Sequence, residues 1–174
     1  FDIIESVGVL HHMDDPVAGW QSLVDCLNSG GLMLIGLYSQ TARKHITKIR
    51  EELNKVYVYR KNYEIKDFRS KLIKKGHKDL NTLKLSQDFY SLSTFRDLLL
   101  HTQEHLFTLP QIETCLSKLG LKFCGFTDDR LIHKFKETNL NEVDVYDLNA
   151  WHAFEQKEPR SFARMYQFWC QKNG

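Results

Sequence analysis

The first forty residues carry a clear alternation of apolar and polar segments. FDIIESVGVL, residues 1–10, is short and rich in β-branched residues, which predicts a buried strand. HHMDDP follows as a loop. Asp14 or Asp15 can cap the next helix, with Pro16 in its first turn. Across PVAGWQSLVDCLNS, Val17, Trp20, Leu23, Val24 and Leu27 fall on one helical face, and Gly30-Gly31 ends the helix. LMLIGLY, residues 32–38, is almost wholly apolar. Such strands occur where helices cover both faces of a parallel sheet. The order strand, helix, strand predicts one right-handed βαβ unit.

Further along, Ser39 can cap a helix over TARKHITKIREELNKVYVYR, with Ile46, Ile49, Leu53 and Val56 as its apolar stripe. Residues 58–84 are polar, basic and weakly periodic, so 58–110 reads as a helical and basic insertion within a single domain, 1–174. A helix is expected over STFRDLLLHTQEH, capped by Ser93, and a short one over LPQIETCLSKLG. LKFCGF, residues 121–126, alternates as a strand does. DLNAWHAFEQKEP reads as a helix ending before Pro159. FARMYQFWCQK, residues 162–172, is a strand or a helix, because short apolar runs are ambiguous. The chain opens directly on a core-like strand with no lead-in, which reads as the C-terminal part of something longer.

In an open α/β sheet the ligand crevice lies at the carboxyl ends of the strands. Here the end of the first strand is SVGVLHHMDDP. The ordered set D-I-I-x-x-x-x-V-L-H-H-M-x-D-P, a helix, then L-x-x-G-G-L-M-L-I-G-L-Y-S resembles the second half of a class I S-adenosylmethionine-dependent methyltransferase. That resemblance implies an α/β fold: a partial Rossmann-like sheet, strands four to seven, with helical insertions. LKFCGF and RMYQFWCQ would be the antiparallel pair closing the sheet. SLSTFRDLLLHTQEHLFTLPQI and the aromatic tail resemble, more narrowly, bacterial methyltransferases fused to tetratricopeptide repeats. Two departures stand out. Ser29 occupies the position of the family's proline before the Gly-Gly turn. No G-x-G occurs anywhere, and the acidic residue that holds the ribose is missing. Both would lie upstream of Phe1.

The resemblance implies methyl transfer from S-adenosylmethionine to an acceptor that the sequence does not name. Such a displacement needs alignment and exclusion of water, and a base only where the acceptor has a proton to lose. By position, Ser6, Val7, Gly8 and Leu10 would line the methionine end of the cofactor, largely through backbone and packing. His11 would face the acceptor as the catalytic candidate, or else orient the turn. His12 is placed on the substrate side, with packing as its alternative.

LLLHTQEHLF also holds His101, Glu104 and His105, the H-x-x-E-H spacing of an inverzincin metallopeptidase. On a helix both histidines would share one face, as zinc ligation requires. A third ligand, Glu113 or Glu137, has nothing around it to support it. The methyltransferase reading makes these three residues an acceptor-side polar group instead, or a surface cluster.

Composition adds limits. No apolar run approaches the roughly 20 residues of a membrane span. Cys26, Cys115, Cys124 and Cys170 are scattered without a C-x-x-C pair, which fits reduced thiols in a cytoplasmic protein. Residues 41–84 hold fourteen of the 24 Lys+Arg and five acids, about +9 on a chain whose net charge is +2. With Tyr57, Tyr59 and Tyr63 interleaved, this stretch could meet nucleic acid. It could equally be a solvated face balanced by acidic neighbours. A methyltransferase-fold module that binds without catalysing is the alternative functional class.

Overall fold

The computed structural model describes residues 1–56, 62–75, 89–100, 103–139 and 143–174, in two compact units. One comprises residues 1–42 and 103–174; the other comprises 43–102. The second unit therefore starts well before the insertion expected at 58–110, because the helix after Ser39 contributes to its core.

The first unit is built on four strands: β1 (Ile3–Val7), β2 (Leu32–Leu37), β3 (Leu121–Phe126) and β4 (Tyr166–Lys172), in the order β1-β2-β4-β3. β1 and β2 are parallel, with Ile3 opposite Leu32 and Val7 opposite Gly36. β4 inserts antiparallel between β2 and β3, pairing Leu37 with Tyr166 and Phe126 with Phe168. The carboxyl ends of β1, β2 and β3 thus share one edge of the sheet. The closing antiparallel pair expected from the sequence is β3 with β4, and the aromatic tail is a strand.

Helix α1 (Pro16–Asp25) connects β1 to β2. Asp15, not Asp14, caps it, accepting from the amides of Val17 and Ala18. Three more helices belong to this unit: α5 (Leu109–Lys118), α6 (Asp129–Thr138) and α7 (Leu148–Lys157). Thr108 opens α5 in a reciprocal capping box with Gln111. All four helices send apolar residues to one cluster. Trp20, Ile112, Phe135 and Trp151 meet Met33, Ile35, Phe168 and Cys170 there.

Those strand residues alternate, so they share one face of the sheet. The opposite face is not sealed as the all-apolar β2 led one to expect. Ile3 is 57% exposed, and Leu32, Leu34 and Trp169 are only half-buried. β2 lies centrally in a mixed sheet, flanked by β1 and β4.

The second unit contains most of α2 (Gln40–Val56), with α3 (Asn62–Lys75) and α4 (Leu92–Leu100). Ile49, Ile65, Phe68, Leu72, Phe95 and Leu99 form its core. Arg50 donates through Nε and Nη2 to the Leu98 carbonyl, at 3.0 and 2.5 Å. Arg69 donates to the carbonyls of Phe89 and Tyr90 and lies 5.8 Å from the Phe95 ring centroid. Two cations of the basic stretch therefore tie this unit together, satisfying carbonyls near a helix end. Tyr57, Tyr59, Arg60 and Lys61 lie outside the described residues.

The helix expected to run through 105 ends at Leu100, and its start, Leu92, puts Ser91 rather than Ser93 before its first turn. His101 lies outside the described residues. Gln103 to Phe107 is non-helical, and Phe107 pairs in parallel with Ser39. Glu104 and His105 consequently do not occupy the helical face that the zinc spacing requires. Among the described residues of the protein, none is a helix long and apolar enough to cross a membrane.

Candidate functional site

The carboxyl edge of β1 and β2 is open at the backbone. The Gly8 amide donates to the Gly36 carbonyl at 3.2 Å, holding the turn after β1 against β2. Gly8 has φ +78°, a conformation glycine adopts at little cost. A Cβ there would meet only Met165 Cε, at 4.0 Å. Beside it, Gly36 is crowded: a Cβ would stand 2.8 Å from Val7 Cγ1, 2.9 Å from Met165 Sδ and 3.0 Å from Val7 Cα. Gly36→Ala is therefore expected to destabilise the protein by about 1–3 kcal/mol through overpacking, read from the urea midpoint. A midpoint equal to wild type would mean that Val7 and Met165 give way freely.

The residues expected to line this crevice separate into two groups. Val7 is 38% exposed and Gly8 half-buried, so their backbone is reachable. Ser6 and Leu10 are buried, and Leu10 belongs to the apolar core. They can support the turn but present no side-chain surface.

His11 and His12 sit in a single 3-10 turn, Leu10–His12. The His11 ring is fully buried. It lies 3.9 Å, centroid to centroid, from Tyr38 and 4.3 Å from His12, the latter edge-on. Enclosure beneath Tyr38 fits the turn-orienting role better than direct contact with an acceptor. His12 is only half-buried, with Nδ1 3.1 Å from the Gln103 carbonyl. A carbonyl only accepts, so that bond places the proton on Nδ1.

A strap formed by Gln103–Phe107 closes over this turn. The His105 amide donates to the His11 carbonyl at 2.8 Å, and the Phe107 amide to that of Tyr38 at 2.9 Å. Glu104 and His105 thus reach the site region through the backbone path of the strap. His105 also lines a cleft of about 330 Å³ with Pro16, Phe107 and Cys115. Its Nε2 is buried and has no hydrogen-bond partner among the described residues.

Behind the strap lies a polar network that the sequence did not announce. Glu155 of α7 is fully buried. Ser39 Oγ donates to its Oε1 at 2.5 Å, and the Tyr166 hydroxyl donates to its Oε2 at 2.7 Å. Ser39 Oγ also accepts from the Ala42 amide, capping α2. Burial raises the Glu155 pKa above the ordinary 4.5, opposed by the two hydroxyl donors and by His152. Burial and the adjacent Glu155 also push the Tyr166 phenol up. A signal existed in LNAWHAFEQK: Glu155 follows Leu148 by seven and Trp151 by four, inside the apolar stripe.

A second cavity, about 320 Å³, opens at the end of β3. Phe126, Leu131, Phe162 and Met165 give it an apolar wall, and Asp128 and Ser161 contribute polar groups. Met165, which lines this cavity, also stands against Gly8 and Gly36. Burial raises the thiols of Cys115 and of the half-buried Cys124, and pushes Cys170 up to about 12.

The mixed α/β fold of this chain is methyltransferase-like, as comparison with solved structures shows. PKMT2 from Rickettsia typhi, solved in complex with AdoHcy, superimposes with a TM-score of 0.65 at 15% identity. The match covers 99% of this chain and 35% of PKMT2. A second structure of PKMT2 from Rickettsia typhi gives the same TM-score at 16% identity. An uncharacterised protein of a Synechococcus species is 28% identical over 171 residues. There the match spans 88% of this chain and 39% of the relative. No family model matches.

Proposed function

We propose that residues 1–174 form the catalytic-edge half of an S-adenosylmethionine-dependent methyltransferase. The observation that carries the reading is the glycine pair at the carboxyl edge. Gly8 leaves room beside an accessible backbone at the carboxyl ends of the parallel strands, where open α/β sheets take their ligands, and the fold resembles that of a protein solved in complex with AdoHcy. S-adenosylmethionine, when bound, would supply an electrophilic methyl group. The chain's own part is to hold and align. The Val7–Gly8 backbone would bound the methionine end, with Ser6 and Leu10 fixing that turn from beneath. His11 acts as a positioning residue under Tyr38. His12 and the strap carrying Glu104 and His105 border the acceptor side, and the cavity at Met165 is the space an acceptor would enter. Alignment of this kind supplies much of the rate in an in-line displacement.

The test is titration calorimetry of residues 1–174 in their full-length context with AdoHcy. Wild type is expected to bind. Gly8→Val is expected to weaken binding at least tenfold, about 1.4 kcal/mol, because it fills the open space and strains a positive φ. If wild type takes no AdoHcy, or Gly8→Val binds it equally well, the methyl-transfer reading is wrong.

A further inference from the structure

The two histidines after β1 do not hold their own geometry. Their rings rest on Tyr38, and Tyr38 is fixed by its neighbours in the chain. Its carbonyl takes the Phe107 amide at 2.9 Å. The next residue, Ser39, is fully buried and pairs with Phe107 on one side. On the other side its hydroxyl reaches Glu155 at 2.5 Å while accepting from Ala42 at 3.0 Å. Both of these bonds involve one oxygen, so Ser39 can rotate only by losing one of them. Glu155 is in turn held at its second oxygen by Tyr166, the first residue of β4. Tyr166 is paired in register with Leu37, one residue before Tyr38. The carboxylate of α7 therefore closes a ring of contacts around the segment Leu37–Ser39.

We infer that Glu155 is a positioning residue: through Ser39 it sets the Tyr38 ring on His11 at the carboxyl edge of the sheet. A buried carboxylate is costly to keep, and nonpolar residues would fill the same volume at least as stably. Its presence in an otherwise apolar stripe makes sense when the two hydroxyls it receives must point in fixed directions. Phe107 and Leu37 fix the backbone of the segment. Glu155, by holding the Ser39 side chain and with it the start of α2, anchors the residue that follows Tyr38. His152, on the same helix, and Tyr166, on β4, are the titratable groups that face the carboxyl.

The inference is about His11 geometry and stands apart from cofactor binding, so its primary readout needs no ligand. In the full-length protein, the imidazole C–H resonances of His11 should carry an upfield ring-current displacement from Tyr38, 3.9 Å away. Ser39→Ala cuts the link at a small residue and should keep the fold. It is expected to shift those resonances by at least half of the ring-current displacement. Glu155→Ala should do the same, and Glu155→Gln, whose Oε1 can still accept the Ser39 hydroxyl, should restore most of it. If Glu155→Ala fails to fold, Ser39→Ala against Glu155→Gln decides alone. The inference is overturned if Ser39→Ala lowers the melting temperature but leaves the His11 resonances at their wild-type positions. The proposed function adds a second readout, a severalfold weaker AdoHcy titration in Ser39→Ala. Failure of wild type to bind AdoHcy would remove that readout and leave the resonance test standing.

Discussion

Trp151→Ala is expected to unfold the sheet-bearing unit at markedly lower temperature, by about 3–5 kcal/mol of stability. The indole is completely buried and lies flat on Phe135, 3.7 Å between centroids at 11°. It meets Phe126 and Phe154 edge-on, at 4.9 and 5.8 Å. Its Nε1 donates to the Val145 carbonyl at 2.9 Å. Truncation thus removes a large apolar area, leaves a cavity beside Phe135, Phe154 and Phe126, and orphans a carbonyl. Aromatic pairs of this kind add about 0.5–1.5 kcal/mol beyond area alone. Thermal denaturation followed by circular dichroism should show a drop of roughly 6–20 °C. Tyr146→Ala is the comparison, because Tyr146 is 58% exposed and its loss should fall within about 0.5 kcal/mol. A Trp151→Ala midpoint as close to wild type as that of Tyr146→Ala would mean that the aromatic cluster collapses to refill the space.

Stability should also fall as the pH rises through the titration of Glu155. Folding raises this carboxyl above 4.5, chiefly by burial. Between 4.5 and the raised value, the folded protein holds a proton that the unfolded chain has released. The unfolded state then binds fewer protons, so unfolding becomes easier with each step up in pH. The stabilisation is complete at or below the ordinary value and is gone once the pH passes the raised one. Each pH unit of elevation is worth about 1.4 kcal/mol. Urea denaturation at intervals from pH 4.5 to 8 measures the slope, and subtraction of the Glu155→Gln series isolates this group from the histidines. Identical slopes in the two series would show that Glu155 titrates alike in both states. Glu155→Ala is a harsher change. It strands the hydroxyls of Ser39 and Tyr166, each at about 1–3 kcal/mol when a buried donor loses its acceptor.

β1, β2 and β3 were legible because the sequence states them twice, in apolar runs and in the glycines beside them, whereas the run that becomes β4 has no such glycine and reads as strand or helix. LKFCGF alternates over six residues, and the strand spans those same six, Leu121–Phe126. Ser39 was legible as a cap, and Asp15 as one of two candidates with Asp14, because hydroxyl and carboxylate side chains just before a helix have one common use. The strap was not. DLLLHTQEHLF continues a helical pattern, but Phe107 finds partners in Tyr38 and Gln40, and pairing distant in sequence overrides local preference. Helix α6 was missed because it turns few apolar residues inward, chiefly Leu131 and Phe135, four apart. At the site, the turn holding His11 and His12 was visible as a motif. Its dependence on Tyr38, Ser39 and Glu155 was not, since residues 116 apart meet only after the sheet has formed. The burial of His11 has the same origin.

The place of β4 has a consequence for how the molecule comes into being. Residues 166–172 do not trim the sheet but fill the gap between strands made earlier. Until they arrive, β2 and β3 have no partner in common, and the apolar faces of Ile35 and Phe123 have nothing between them. Assembly therefore cannot proceed simply in order of synthesis. The nascent chain must wait with an unfilled slot, and closing it requires contacts across some 130 residues. Such non-local closure is intrinsically slow. A ribosome that stalls before Tyr166 would release not a trimmed protein but one cut through its centre, with two exposed strand edges for chaperones to cover.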